Sequence, residues 1–71
     1  MLVRSLSEHI HAALQELPQR QREVVMLRDV DGLSGREVCD ALDISDANQR
    51  VLLHRGRSRL RQALETEFWR A

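Results

Sequence analysis

Seventy-one residues make one domain at most, and a core that small is marginal without a larger parent chain or a partner. The single Cys39 excludes an internal disulfide and lacks companions for a zinc site, so a reducing, cytoplasmic setting fits. Eleven Arg, no Lys and eleven acids give zero net charge, which taken alone argues against a nucleic-acid binder, and no apolar run approaches the ~20 residues of a membrane span.

The apolar spacing is helical nearly throughout, with no alternating strand pattern, repeat or linker. The opening residues, with Ser5, Ser7, Glu8 and His9, are too polar for a signal core. A first helix is predicted from Ser7 to Leu17, with Ile10, Leu14 and Leu17 on one face. Pro18 interrupts it and suits the first turn of a second helix. That helix reaches about Asp31, with Val24, Leu27, Val30 and Met26 facing inward. Gly32 serves as its C′ residue, since glycine takes positive φ without penalty. Ser34 and Glu37 form a capping box that opens a third helix ending near Leu42. Asp43-Ile44-Ser45 is a turn with Asp43 at a left-handed position, and Ser45 caps a fourth helix continuing toward Phe68. The expected fold is an all-α single domain over residues 1–71: four helices, a C-terminal helix-turn-helix and no wing.

The fourth helix carries the functional signal. Residues 1–49 hold five Arg against nine acids, whereas residues 50–71 hold six Arg against two. Between Arg50 and Arg61 there are five Arg and no acid, so the basic charge sits on one element. At ~100° per residue, Leu53, Leu60 and Leu64 fall on one face, flanked by Gly56 and Ala63. Asn48, Val51, Arg55, Ser58, Arg59 and Gln62 fall opposite, and Arg50, His54 and Arg61 line a border. Guanidinium and amide groups pair with base edges in the major groove, guanine for Arg and adenine for Asn. Candidate base readers are therefore Asn48, Arg50, Val51, His54 and Arg55, on a recognition helix of about 46–61. Candidate phosphate contacts are Arg36, Arg57, Arg59 and Arg61.

Each residue also has a plainer reading. The Arg run fits a solvated helix face, and the choice of Arg over Lys fits a GC-rich genome. Asn48 lies where a local cap competes with an adenine contact. His54 divides between nucleic acid and a neutral surface role, and Arg36 between phosphate and plain surface. Arg57 and Arg61 do not point straight out, so intramolecular pairs compete with phosphates. Cys39 reads as a small packing residue. Phe68 and Trp69 either close the last helix against the first or mark a partner surface. His9, His11 and His54 form no ligand set, so no metal or cofactor is expected. No nucleophile has a base beside it, so no enzyme is expected.

Four pieces together resemble region 4 of a bacterial RNA polymerase sigma factor of the small extracytoplasmic-function type. They are Leu17-Pro18 with Arg22-Glu23-Val24-Val25-Met26-Leu27-Arg28; Asp31-Gly32-Leu33-Ser34; Glu37-Val38-Cys39 with Leu42-Asp43-Ile44-Ser45; and Leu53-His54-Arg55-Gly56-Arg57 with Leu60. The resemblance implies a domain that binds the promoter −35 element with its last helix. It implies contact with the flap of the polymerase β subunit, and capture by an anti-sigma factor covering the DNA-binding face. Residues matching the family's base-reading surface are Arg50, Val51, His54 and Arg55. The chain departs from the family at Gln49, which replaces a semi-buried Val, and at Leu52, which replaces a basic residue. Val51 replaces a small hydroxyl residue and is suited to a thymine methyl. Asp43 stands for the usual turn Gly, and Cys39 for a small Ala. The −10-reading region is missing, so the chain reads as a C-terminal fragment.

Two rival functions remain open. A response-regulator-type DNA-binding domain shares the four-helix layout, but prefers a Thr-Val-Lys start and a Lys-Leu ending that are absent here. A helical protein-interaction module would dock its Arg-rich helix on an acidic partner.

Overall fold

The computed structural model describes the backbone of residues 5–69 and the side chains of residues 5–66. Four helices follow in order: α1 (Leu6–Gln15), α2 (Gln19–Val25, continued by a π-helical turn over Met26–Val30), α3 (Gly35–Leu42) and α4 (Asp46–Trp69). There is no strand among the described residues, and the fold is all-α. The expectation for the side chains of Phe68 and Trp69 lies outside the described residues.

Local chemistry sets the helix ends. Ser5, not Ser7, caps α1, its Oγ accepting the Glu8 N–H at 3.3 Å. α1 ends at Gln15 because the Glu16 and Leu17 N–H groups fall back onto the Ala13 and Leu14 carbonyls, both at 3.1 Å. Such i→i−3 bonds tighten a last turn, here just ahead of Pro18. Leu17, expected inside the helix, lies beyond it yet remains buried. Pro18 stands at the N-cap of α2, and its carbonyl accepts the Arg22 N–H at 3.0 Å.

The π turn was not anticipated. The Asp31 N–H reaches the Met26 carbonyl at 2.9 Å, five residues back. A π turn holds more residues than an α turn, so each residue rotates by less and the inward stripe slips. Val30, expected inward, is accordingly 59% exposed, while Val25, not expected in the core, is 1% exposed. Gly32 then reverses the chain at φ 76°.

The capping box opens α3 with both bonds formed. The Glu37 N–H donates to Ser34 Oγ at 3.1 Å, and the Ser34 N–H donates to Glu37 Oε1 at 2.9 Å. These bonds hold the exposed Glu37 carboxyl below its ordinary pKa. α3 ends on Asp43 in the left-handed region, φ 54°, the conformation the turn requires.

The core consists of Ala13, Leu14, Leu17, Val24, Val25, Val38 and Leu53. Val24, Val25 and Val38 are the most deeply buried side chains, each contributing roughly 1.5–3 kcal/mol relative to exposure. α4 packs on α1, α2 and α3, most extensively on α2. These last two helices meet tightly at Gly56, where an added Cβ would lie 2.6 Å from Val25 Cγ2 and 3.1 Å from the Gln21 carbonyl. Leu53 and the half-buried Leu60 and Leu64 confirm the core face assigned to α4.

Candidate nucleic-acid interface

The start of α4 is fixed by Ser45, whose Oγ accepts the Asn48 N–H at 3.1 Å and whose carbonyl accepts the Gln49 N–H at 2.9 Å. Ser45 therefore does the capping. Asn48 supplies only its backbone, and its exposed side-chain amide has no hydrogen bond among the described residues. Asn48, Val51 and Arg55 are all exposed, and Val51 presents 43% of its surface. They sit at positions 48, 51 and 55, spacing that places them on one face of a helix. An amide, an apolar methyl pair and a guanidinium thus stand together on the first turns of a capped helix.

Arg50 is exposed but held, its Nε 2.9 Å from Asp46 Oδ2 one turn earlier. His54 is exposed beside this face. Farther along, His54, Arg57, Ser58 and Arg61 line a shallow concavity of about 140 Å³ whose chemistry suits an anion. Arg36 lies exposed in the first turn of α3. Arg36, Arg55, Arg59 and Arg61 form no ion pair among the described residues, leaving their charges for an external partner.

Arg57 is differently placed. Its guanidinium grips Asp29 on the π turn, with Nε to Oδ2 at 2.9 Å and Nη2 to Oδ1 at 2.6 Å. The hydrogen bonds from Arg57 lower the Asp29 carboxyl pKa, aided by the charges of Arg57 and Arg28, and the same pairing raises that of Arg57. Of the two roles open to Arg57, the intramolecular pair is formed; it ties α4 to the π turn that continues α2.

Two residues outside the candidate readers shape this surface. Gln49 is only 3% exposed, its Nε2 reaching Asp46 Oδ1 at 3.3 Å while its Oε1 has no partner among the described residues. It packs on Gly35, where an added Cβ would lie 3.1 Å from Gln49 Nε2. Asp46 thus holds Gln49 on one oxygen and Arg50 on the other. The i,i+3 and i,i+4 spacings from Asp46 were the available signal.

A separate apolar groove of about 460 Å³ opens between α1, the second helix with its π turn, and the end of α3. Leu14, Met26, Leu27 and Leu42 line it, with His11, Gln15, Arg22 and Glu23 completing the lining. No described residue of α4 contributes. No three His, Cys, Asp or Glu among the described residues are grouped to hold a metal ion, and no described helix is long and apolar enough to cross a membrane.

Comparison with known proteins gives a consistent result. The family described as Sigma-70, region 4 matches residues 7–60. The chain is 38% identical over 56 residues to the RNA polymerase sigma factor SigZ of Bacillus subtilis, covering 79% of this chain and 32% of that protein. It is 39% identical over 59 residues to the ECF RNA polymerase sigma factor SigE of Mycolicibacterium smegmatis, covering 83% and 23%. It is 49% identical over 49 residues to the ECF RNA polymerase sigma factor SigG of Mycobacterium tuberculosis, covering 69% and 13%. The chain therefore spans a third or less of the length of these relatives. No solved structure gives a significant match.

Proposed function

Because the chain belongs to the sigma-70 region 4 family, we propose that it recognises the promoter −35 element as part of a transcription initiation factor, with α4 in the major groove. One observation carries this reading: the capped start of α4 presents Asn48, Val51 and Arg55 outward together, without internal partners. Arg50 and Arg55 read guanines, Asn48 an adenine, and Val51 a thymine methyl, with His54 beside them. Arg36, Arg59 and Arg61 hold phosphates, which position the domain without carrying sequence information. Arg57 contributes field to the His54–Arg61 concavity while bound to Asp29. The family match gives no support to the response-regulator alternative.

The polymerase partner is proposed to seat on the apolar groove. An apolar helix from the β flap fits a cleft lined by Leu14, Met26, Leu27 and Leu42 and leaves α4 clear for DNA. An anti-sigma factor, if it acts on this domain, covers the basic face of α4; an inhibited complex still binding promoter duplex would rule that out. All of this takes place in the cytoplasm, where promoter and polymerase meet.

The test is fluorescence anisotropy of the chain against a GGAAC-type −35 duplex and a scrambled duplex across a salt series. Preference for the promoter duplex that persists as salt rises supports sequence readout. Equal binding to both that collapses with salt leaves only phosphate attraction and overturns it.

A further inference from the structure

The charged groups at the start of α4 form a chain. Gln49 is buried against Gly35 at the beginning of α3, and its amide holds one carboxylate oxygen of Asp46. The other oxygen lies 2.9 Å from Arg50 Nε, an ion pair one turn apart. An isolated exposed pair one turn apart is weak, because holding two mobile side chains together costs entropy. Here the carboxylate is held from the other side by a side chain that is itself fixed in the interior. Asp46 is consequently ordered before Arg50 reaches it.

The direction of the hold matters. A guanidinium meets a guanine through one edge of its planar fork. The ion pair draws the Nε side of the guanidinium toward Asp46 and leaves the terminal Nη1–Nη2 edge free. The carboxylate also cancels the charge of Arg50 locally, which weakens its attraction to any passing phosphate.

We propose that Asp46 is a specificity-determining residue: held by buried Gln49, it presets Arg50 to present its terminal edge to a guanine and restrains it from indiscriminate phosphate binding. This inference rests on base reading by α4 as set out above. Asp46 contacts no base in this scheme and acts through Arg50 as a positioning residue.

The experiment is selection of bound duplexes from a pool randomised across the −35 region, with sequencing of the bound fraction. It is run on the wild-type chain, Asp46→Ala, Asp46→Asn, Arg50→Ala and the Asp46→Ala/Arg50→Ala double variant. Circular dichroism at the working temperature selects variants that remain helical; Asp46→Asn keeps an acceptor for Gln49 and is the safer fold. The position read by Arg50 is the one whose guanine preference disappears in Arg50→Ala. At that position Asp46→Ala is expected to lower the guanine preference by roughly three- to tenfold, with other positions unchanged. Asp46→Asn is expected to show a smaller loss at the same position. Binding to scrambled DNA by Asp46→Ala rises, with a steeper salt slope. In the Arg50→Ala background the Asp46 substitution leaves the base preferences unmoved, because its intermediary is gone. A uniform loss at all positions, or an equal effect with and without Arg50, would make Asp46 a simple helix-terminus charge and overturn the proposal. A wild-type pool without any base preference would overturn the base-reading function itself, and this inference with it, by a separate result.

Discussion

Arg57 and Asp29 face each other fork to fork across the molecule, two hydrogen bonds of 2.9 and 2.6 Å joining residues 28 positions apart. The pair fastens the middle of α4 to the π turn of α2. Both side chains keep substantial exposure, 52% and 35%, so solvent screens the interaction.

The pair makes stability depend on pH with a definite sign. Asp29 has its carboxyl pKa lowered, first by the hydrogen bonds from Arg57. The folded state thus favours the charged form, and the contribution is fully present above the unfolded value of about 3.9. It is lost as pH falls through the lower folded value. Asp29→Asn is expected to cost about 0.5–1 kcal/mol at pH 7. The difference from wild type should vanish in acid below the folded pKa. Thermal melts of both proteins from pH 7 downward check this; a constant gap across the series would refute it.

Gly56→Ala is expected to destabilise the fold by about 1–2 kcal/mol, despite the better helix propensity of alanine. The added methyl would stand 2.6 Å from Val25 Cγ2, a branched side chain buried without room to turn. Urea denaturation measures the loss. A companion Val25→Ala change should recover part of it if the clash is the cause.

Asp43→Gly should act in the opposite direction. Asp43 holds φ 54°, which costs an L-residue about 1 kcal/mol and glycine almost nothing. A gain of roughly 0.5–1 kcal/mol in the same denaturation assay is expected, reduced by the greater freedom of glycine in the unfolded chain.

Arg55→Ala tests the reading face directly. It is expected to weaken the cognate duplex by ~1–3 kcal/mol and to relax preference at one base pair. An equal loss on scrambled DNA in the anisotropy assay would assign Arg55 to phosphate alone.

What the sequence made legible was mostly local. Ser34 with Glu37, Ser45 with Asn48, Gly32 and Asp43 are bonds or backbone states decided within a few residues, and each appears where its motif stands. The angular reading of α4 also held, since Leu53 turns inward while Asn48, Val51 and Arg55 turn out. The π turn was hidden because nothing in Met26–Val30 distinguishes a five-residue return from a four-residue one. It moved Val30 outward and placed Asp29 where Arg57 meets it. Gln49, four residues before Leu53 and in place of a semi-buried Val, already pointed toward the core side; what its position could not show is that Gly35, fourteen residues earlier, admits its amide.

The Gly56 contact has a mechanical consequence. α4 is one unbroken rod of 24 residues, and at Gly56 it meets α2 so closely that an added Cβ would clash. α4 also packs on α1 and α3, and Gly56 is the tight contact about which a small tilt would turn. Asn48 lies eight residues from that fulcrum, about 12 Å along the axis at 1.5 Å per residue. A tilt of ~10° at Gly56 would sweep Asn48 through about 2 Å, the difference between a formed and a lost hydrogen bond. The opposite arm lies beside α1, where Ala13 and Glu16 share a concavity with Arg59, Gln62, Ala63 and Thr66. Pressure on α1 would therefore be felt, leveraged through glycine, at the end of the helix that carries Asn48, Val51 and Arg55.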